Sequence, residues 1–189
     1  MKNVVLLSGS TVGSKTSTAM KYLNEAITNQ DDTLNIQLFD LKNLDLSFSD
    51  GRNYLDYSGD TLELTTALMQ ADIIFIGFPI FQASIPGTLK NVFDLLPVNA
   101  FRDKVVGIVA TAGSPKHYLI AETQLKPILS YMKAHVMQTY VFIEERDFSN
   151  GTIVNDDIIF RINELATSTL RVSKLYNQLL EEENSQYDF

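Results

Sequence analysis

The chain has 189 residues, 45% hydrophobic and 20% charged, an ordinary globular composition with enough length for one sizeable core, so a single domain over residues 1–189 is expected. Fifteen Lys plus Arg against 23 Asp plus Glu leave a formal charge of −8, which repels nucleic acid and anionic membranes and argues against either as a partner. There is no Cys, which excludes disulfides, thiol catalysis and thiolate metal sites and suits a reducing cytoplasm.

Residues 1–7 hold one Lys and four consecutive apolar residues, too few for a signal segment or a membrane span, so a soluble cytoplasmic protein is expected. From there on, short apolar runs alternate with amphipathic stretches, the pattern of βαβ units and of a parallel sheet covered by helices on both faces. Strands are expected at residues 4–7, 34–39, 73–78, 105–110 and 136–142. Four of these runs are nearly continuous in apolar residues, as burial on both faces requires. The run at 34–39 alternates Leu34, Ile36 and Leu38 with polar residues and reads as an edge.

The first strand leads into Ser8-Gly9-Ser10-Thr11-Val12-Gly13-Ser14-Lys15-Thr16-Ser17 and then a helix whose apolar face is Ala19, Met20, Leu23, Ala26 and Ile27. Gly permits close backbone approach, free amides at a helix start point outward, and Ser and Thr hydroxyls add neutral donors, so the turn reads as a phosphate site. Hydroxyl residues also cap helices without any ligand, but six of them in ten residues exceed what capping needs. Gly9 to Thr16 nearly fits a Walker A turn, with Ser14 where the second Gly belongs. A triphosphatase would need a magnesium carboxylate after another central strand, and strands three and four end in Phe78-Pro79 and Thr111-Ala112-Gly113 instead. A dinucleotide G-x-G-x-x-G pattern is absent.

After the second strand, residues 41–60 mix the alternating Leu44, Leu46 and Phe48 with the turn-like Gly51-Arg52-Asn53 and read as irregular. The third strand ends in Gly77-Phe78-Pro79-Ile80-Phe81-Gln82-Ala83-Ser84-Ile85-Pro86, a connection stiffened by two prolines that holds the apolar pair Ile80 and Phe81 in a loop. A flat apolar ligand, or packing on the domain or a dimer partner, accounts for such a pair. A helix with the face Leu89, Val92, Phe93 and Leu96 follows. The fourth strand runs into Thr111-Ala112-Gly113-Ser114-Pro115-Lys116-His117, whose amides suit the polar edge of a ring. His117 and His135 are the two histidines, too few for a metal cluster, and no nucleophile elbow accompanies them. The last helix is expected to begin at Asn155, capped by its side chain, with Asp156 and Asp157 in the first turn. Its stripe of Ile158, Ile162, Leu165, Thr169, Val172, Tyr176 and Leu179 is long enough to cover the sheet and also serve a subunit contact, and the acidic stretch from Glu181 reads as a frayed end.

In a doubly wound five-stranded sheet of order 2-1-3-4-5, ligands sit beyond the carboxyl ends of the strands, at the switch point between strands one and three. That order brings the phosphate, apolar and amide-rich loops side by side. Flavin mononucleotide (FMN), with a phosphate, a linker and a planar ring having apolar faces and a polar edge, satisfies all three.

The same residues resemble the NAD(P)H-dependent FMN reductases, including the reductase components of two-component alkanesulfonate systems and azobenzene reductases. The resemblance is carried in order by Ser8-Gly9-Ser10, Ser14-Lys15-Thr16, Pro79-Ile80-Phe81 with Ser84, Pro86-Gly87, Leu89-Lys90-Asn91, Ala112-Gly113-Ser114 with His117, and Leu125-Lys126-Pro127-Ile128-Leu129. It implies a flavodoxin-like fold, phosphate contacts from Ser10, Ser14, Lys15, Thr16 and Ser17, and ring contacts from Pro79, Ile80, Phe81, Ser84, Gly113, Ser114 and His117. It further implies a homodimer or homotetramer that uses NADPH or NADH and hands electrons to free flavin, a quinone, an azo compound or another small acceptor. No catalytic side chain is expected, since the flavin carries the chemistry. An FMN-holding electron carrier without NAD(P)H turnover is the alternative. Phe81 stands where such proteins often carry Tyr, and the first loop lacks the T-x-T-G-x-T of true flavodoxins. Thr123 stands where some two-component reductases have an extra Tyr in a widened helical turn, so the resemblance does not extend to a partner monooxygenase.

Overall fold

The structure, a computed structural model, describes residues 2–185. Three strands form its centre: β1 (Asn3–Ser8), β3 (Ile73–Pro79) and β4 (Val105–Ala112). They are buried along nearly their whole length, as their unbroken apolar runs require. β2 (Asn35–Asp40) pairs only with β1, so the alternating run is an edge strand as expected. The sheet is parallel throughout, in the order β2-β1-β3-β4-β5.

Period-two alternation divides the core. Val5, Leu7, Ile74 and Ile76 face α2 (Gly59–Gln70), α3 (Gly87–Asp94) and α4 (Lys126–Tyr131). Val4, Leu6, Ile73 and Phe75 face α1 (Lys15–Thr28) and α5 (Asp156–Ser185). Each fully buried Leu, Ile or Phe contributes about 1.5–3 kcal/mol relative to exposure, which is why both helical layers hold. The result is the doubly wound three-layer architecture expected from the sequence.

The fifth strand differs from its expected form. Rather than one run over 136–142, it is two segments, β5 (His135–Val136) and β6 (Val141–Glu144), both paired with β4. Where β4 advances three residues from Val106 to Val109, the edge strand advances five, from Val136 to Val141. The extra residues form a bulge around the polar Gln138 and Thr139, and the Gln138 carbonyl accepts from Lys126 Nζ at 2.7 Å. An edge strand tolerates this because no further strand needs its outer groups.

Residues 41–60 are tied to their own chain. Ser47 N donates to Thr61 Oγ1 and Ser49 N to Asn91 Oδ1, each at 2.9 Å, while Leu44 and Leu46 pack on the core. Before α4, residues Ala121–Leu125 form a π-turn, with the Lys126 amide reaching back to the Ala121 carbonyl. Pro127 explains it: its nitrogen has no proton for the Thr123 carbonyl, and its ring collides with that carbonyl in a regular α-turn. The widened turn is therefore present with Thr123, without an added tyrosine.

At α5, Asn155 Oδ1 accepts from the Asp157 amide at 3.1 Å, the expected cap. Ile158, Ile162, Leu165 and Thr169 of its stripe are buried, whereas Leu175 and Leu179 are each 56% exposed. Rather than fraying at Glu181, the helix continues to Ser185, and the last four residues of the acidic tail lie outside the described residues. No described helix is long and apolar enough to cross a membrane.

Candidate functional site

Beyond the carboxyl ends of β1, β3 and β4 lies a cavity of about 330 Å³, within the size range of small-molecule sites. Its first wall is the turn after β1, through Ser10, Val12, Gly13, Ser14, Lys15 and Thr16. The second is Pro79, Ile80 and Phe81, and the third is Thr111, Ala112 and Gly113. Phe148 adds a fourth side.

The turn is built to leave donors free. Ser14 occupies the N-cap position of α1, yet its side chain makes no capping hydrogen bond. Among the described residues, the first amide there with a backbone acceptor is Thr18, on the Ser14 carbonyl at 2.7 Å. The amides ahead of it stand at the positive end of a 14-residue helix, where an anion is favoured. Lys15 adds a cation, and Lys42 Nζ reaches the Gly13 carbonyl at 3.4 Å. Not every hydroxyl is available. Ser10 Oγ closes the turn by donating to the Val12 carbonyl, and Thr16 Oγ1 is hydrogen-bonded to Thr111 Oγ1 at 2.8 Å, tying α1 to β4. At the foot of the turn, the buried Ser8 Oγ has no partner among the described residues.

The close fit of α1 onto the sheet depends on Gly77. A Cβ there would lie 2.4 Å from Met20 Sδ and 3.3 Å from Thr16 Cγ2, so a side chain would force the buried Met20 thioether to repack between α1 and the sheet.

The second wall carries strain. Phe81 and Ser84 exchange hydrogen bonds of 3.1 and 3.0 Å around Gln82 and Ala83, both at positive φ (48° and 57°). This is a type I′ turn, which prefers Asn-Gly and here has neither residue. It is held from both ends by Ile80 N donating to the Thr111 carbonyl at 2.9 Å and by Pro86. The turn presents the Phe81 ring, 40% exposed, at the lip of the cavity. Ala83→Gly is expected to stabilise the fold by about 0.5–1 kcal/mol, because the relieved left-handed strain outweighs the entropy a glycine adds to the unfolded chain. Urea unfolding measures this, and a lowered midpoint would contradict the strain.

The apolar lip, the uncapped helix start and the amide-bearing third loop fit a ligand with a flat apolar body and an anionic tail. Comparison with known proteins identifies the family. The family model described as NADPH-dependent FMN reductase matches residues 1–147. The chain belongs to this family. It is 38% identical over 161 residues to an NAD(P)H-dependent FAD/FMN reductase of Geobacillus thermodenitrificans, covering 85% of this chain and 87% of that one. It is 31% identical over 144 residues to the FMN reductase (NADPH) of Escherichia coli, covering 75% and 73%. Among solved structures, an NADH:FMN oxidoreductase in its apo form superposes with a TM-score of 0.77 at 27% identity, over 89% of this chain and 88% of that one. The chain is an enzyme, a flavin oxidoreductase that uses NAD(P)H and FMN.

Of the site residues expected from the reductase sequence, Ser10, Ser14, Lys15, Thr16, Pro79, Ile80, Phe81 and Gly113 line the one cavity together. Four do not. Ser17 lies inside α1; Ser84 Oγ faces Gln124 Oε1 at 3.3 Å; Ser114 Oγ accepts from the Lys116 amide at 3.3 Å; His117 closes the short turn Pro115–His117. Phe148 and Glu145 belong to none of the sequence motifs above, yet Phe148 lines the cavity and Glu145 pairs with Lys15. Phe148 begins β7 (Phe148–Ser149), which pairs with β8 (Thr152–Ile153) around Asn150 and Gly151, both at positive φ. Asn-Gly flanked by Phe148 and Ile153 is a strong hairpin signal in the sequence. Glu145 follows β6 and is ion-paired with Lys15.

Proposed function

We propose that the reductase holds FMN in this cavity, with the phosphate at the α1 turn and the ring between Pro79-Ile80-Phe81 and the loop at Gly113. The observation that carries this reading is the juxtaposition in one cavity of free helix-start amides with an apolar lip. The phosphate contacts are assigned to the amides around Ser14, Lys15, Thr16 and Ser17, to the Ser14 hydroxyl and to the Lys15 ammonium. Ser10 shapes the turn, and Thr16 anchors it through Thr111. We assign to the amides of Gly113 and Ser114 the stabilisation of negative charge at the polar edge of the ring, and to Ser84 and His117 a place at its border. When bound, FMN supplies the acceptor for the nicotinamide hydride and the relay to a small acceptor such as free flavin, a quinone or an azo compound. The protein's share is to position the two rings and exclude water, and it needs no acid/base pair.

Anaerobic mixing of the FMN-loaded protein with NADPH, then NADH, tests the reading. Loss of the flavin absorbance near about 450 nm, a wavelength of the cofactor itself, is expected. Colour that persists with both would leave an electron carrier in its place.

Acidic charge and the lack of cysteine support a cytoplasmic setting, and no partner monooxygenase is proposed. We propose a homo-oligomer, supported by the exposed Leu175 and Leu179 on α5, as an unpartnered apolar helix face is uncommon on a monomer. Sedimentation velocity checks it, and a monomer at micromolar concentration would refute it.

A further inference from the structure

Lys15 has two claims on it. Its amide belongs to the free start of α1, while its ammonium is paired with Glu145 Oε1. Both side chains are partly exposed, 43% for Lys15 and 68% for Glu145. Glu145 is held at that place by its backbone. The turn that it opens, Glu145–Asp147, is fixed by Asp147, whose carboxylate accepts from the Glu144 amide at 2.8 Å and from Asn155 Nδ2 at 2.7 Å. The other carboxylate oxygen, Oε2, lies 3.8 Å from the position a Cβ would take on Gly113. The carboxylate therefore stands at the rim, between the phosphate turn and the third loop.

The carboxylate there occupies the cation best placed for an anionic ligand. Folding gives no reason for it, because an exposed ion pair contributes little to stability. That same weakness lets Lys15 change partners readily.

We propose that Glu145 is an affinity-determining residue that competes with the flavin phosphate for Lys15, keeping FMN exchangeable in this reductase instead of permanently held. The proposal rests on the reading that the phosphate occupies the α1 turn. It predicts an effect that depends on the phosphate and on Lys15 together. A residue that merely shapes the third loop would show neither dependence.

The test is a fluorescence titration of the flavin-free protein with FMN and with riboflavin, which lacks the phosphate, for wild type, Glu145→Gln, Lys15→Ala and the double variant. Glu145→Gln is expected to tighten FMN about five-fold, the ratio to which the worth of an exposed pair converts, and to leave riboflavin unchanged. In the Lys15→Ala background the gain disappears. An unchanged FMN affinity overturns the proposal. So does equal tightening of riboflavin, which would place Glu145 against the ring, or a gain that persists without Lys15, which would mean direct repulsion. If Lys15→Ala alone leaves FMN binding at the wild-type value, the phosphate reading fails, and the proposal with it. Melting curves of the flavin-free variants, expected to match wild type, separate these outcomes from misfolding.

Discussion

Lys15→Glu is expected to weaken FMN binding by about 100-fold while leaving the chain folded. The change removes a charge-assisted hydrogen bond to phosphate, worth about 1.5–3 kcal/mol. It also sets a carboxylate beside the phosphate itself, and two like charges near a protein surface at about 4 Å oppose each other by up to about 4 kcal/mol before salt screening. A total near about 3 kcal/mol corresponds to the stated factor. Folding should change little, because a favourable helix-start charge offsets the lost exposed pair with Glu145. Lys15 is the first residue of α1, where an acidic side chain is favoured by about 0.3–1 kcal/mol, and its side chain is exposed. Flavin titration and thermal melting of the flavin-free protein measure the two effects separately. An affinity within about three-fold of wild type would place the phosphate elsewhere.

The part of this site that was legible in the sequence is the part built on buried parallel strands. Unbroken runs at β1, β3 and β4 fix which loops emerge together, and the turn with Ser14 and Lys15, the Pro79-Ile80-Phe81 lip and Gly113 line one cavity. What escaped the sequence comes from the far edge. Once β4 ends, Glu145 and Phe148 owe their positions to a bulged edge strand and a short hairpin, whose placement depends on two extra residues between Val136 and Val141. No period marks such an offset. The Asn150-Gly151 pair did signal the hairpin but not its direction toward the cavity. Two of the four expected residues that do not line the cavity stand apart for a related reason. Ser84 and Ser114 are hydroxyls in tight turns, where neighbouring groups capture the side chain, and a motif records the residue without its rotamer. Pro127 shows the converse case, since one residue with fixed chemistry is enough to explain a π-turn four positions earlier.

A second large effect concerns the middle of the sheet. Gly107→Val is expected to destabilise the protein by about 3 kcal/mol, lowering its melting temperature by roughly 9 °C for a chain of this length. Gly107 on β4 pairs with Phe75 on β3, and a Cβ at Gly107 would lie 2.6 Å from Phe75 Cδ1 and 3.3 Å from Thr169 Oγ1. Neither neighbour has room to yield. Phe75 is fully buried between the sheet and the α1 and α5 layer, and Thr169 Oγ1 is held on the Leu165 carbonyl at 2.6 Å within α5. The backbone of Gly107 has no positive φ, so valine suits the strand and the penalty is one of contact. That origin makes a specific claim about a second change. Phe75→Leu alone should destabilise by leaving a void, but in the Gly107→Val background it vacates the space the new methyl groups need. The double variant should therefore be more stable than the sum of the two losses predicts, by about 1 kcal/mol or more in urea unfolding. Strict additivity would show that the glycine is required for something other than the Phe75 ring.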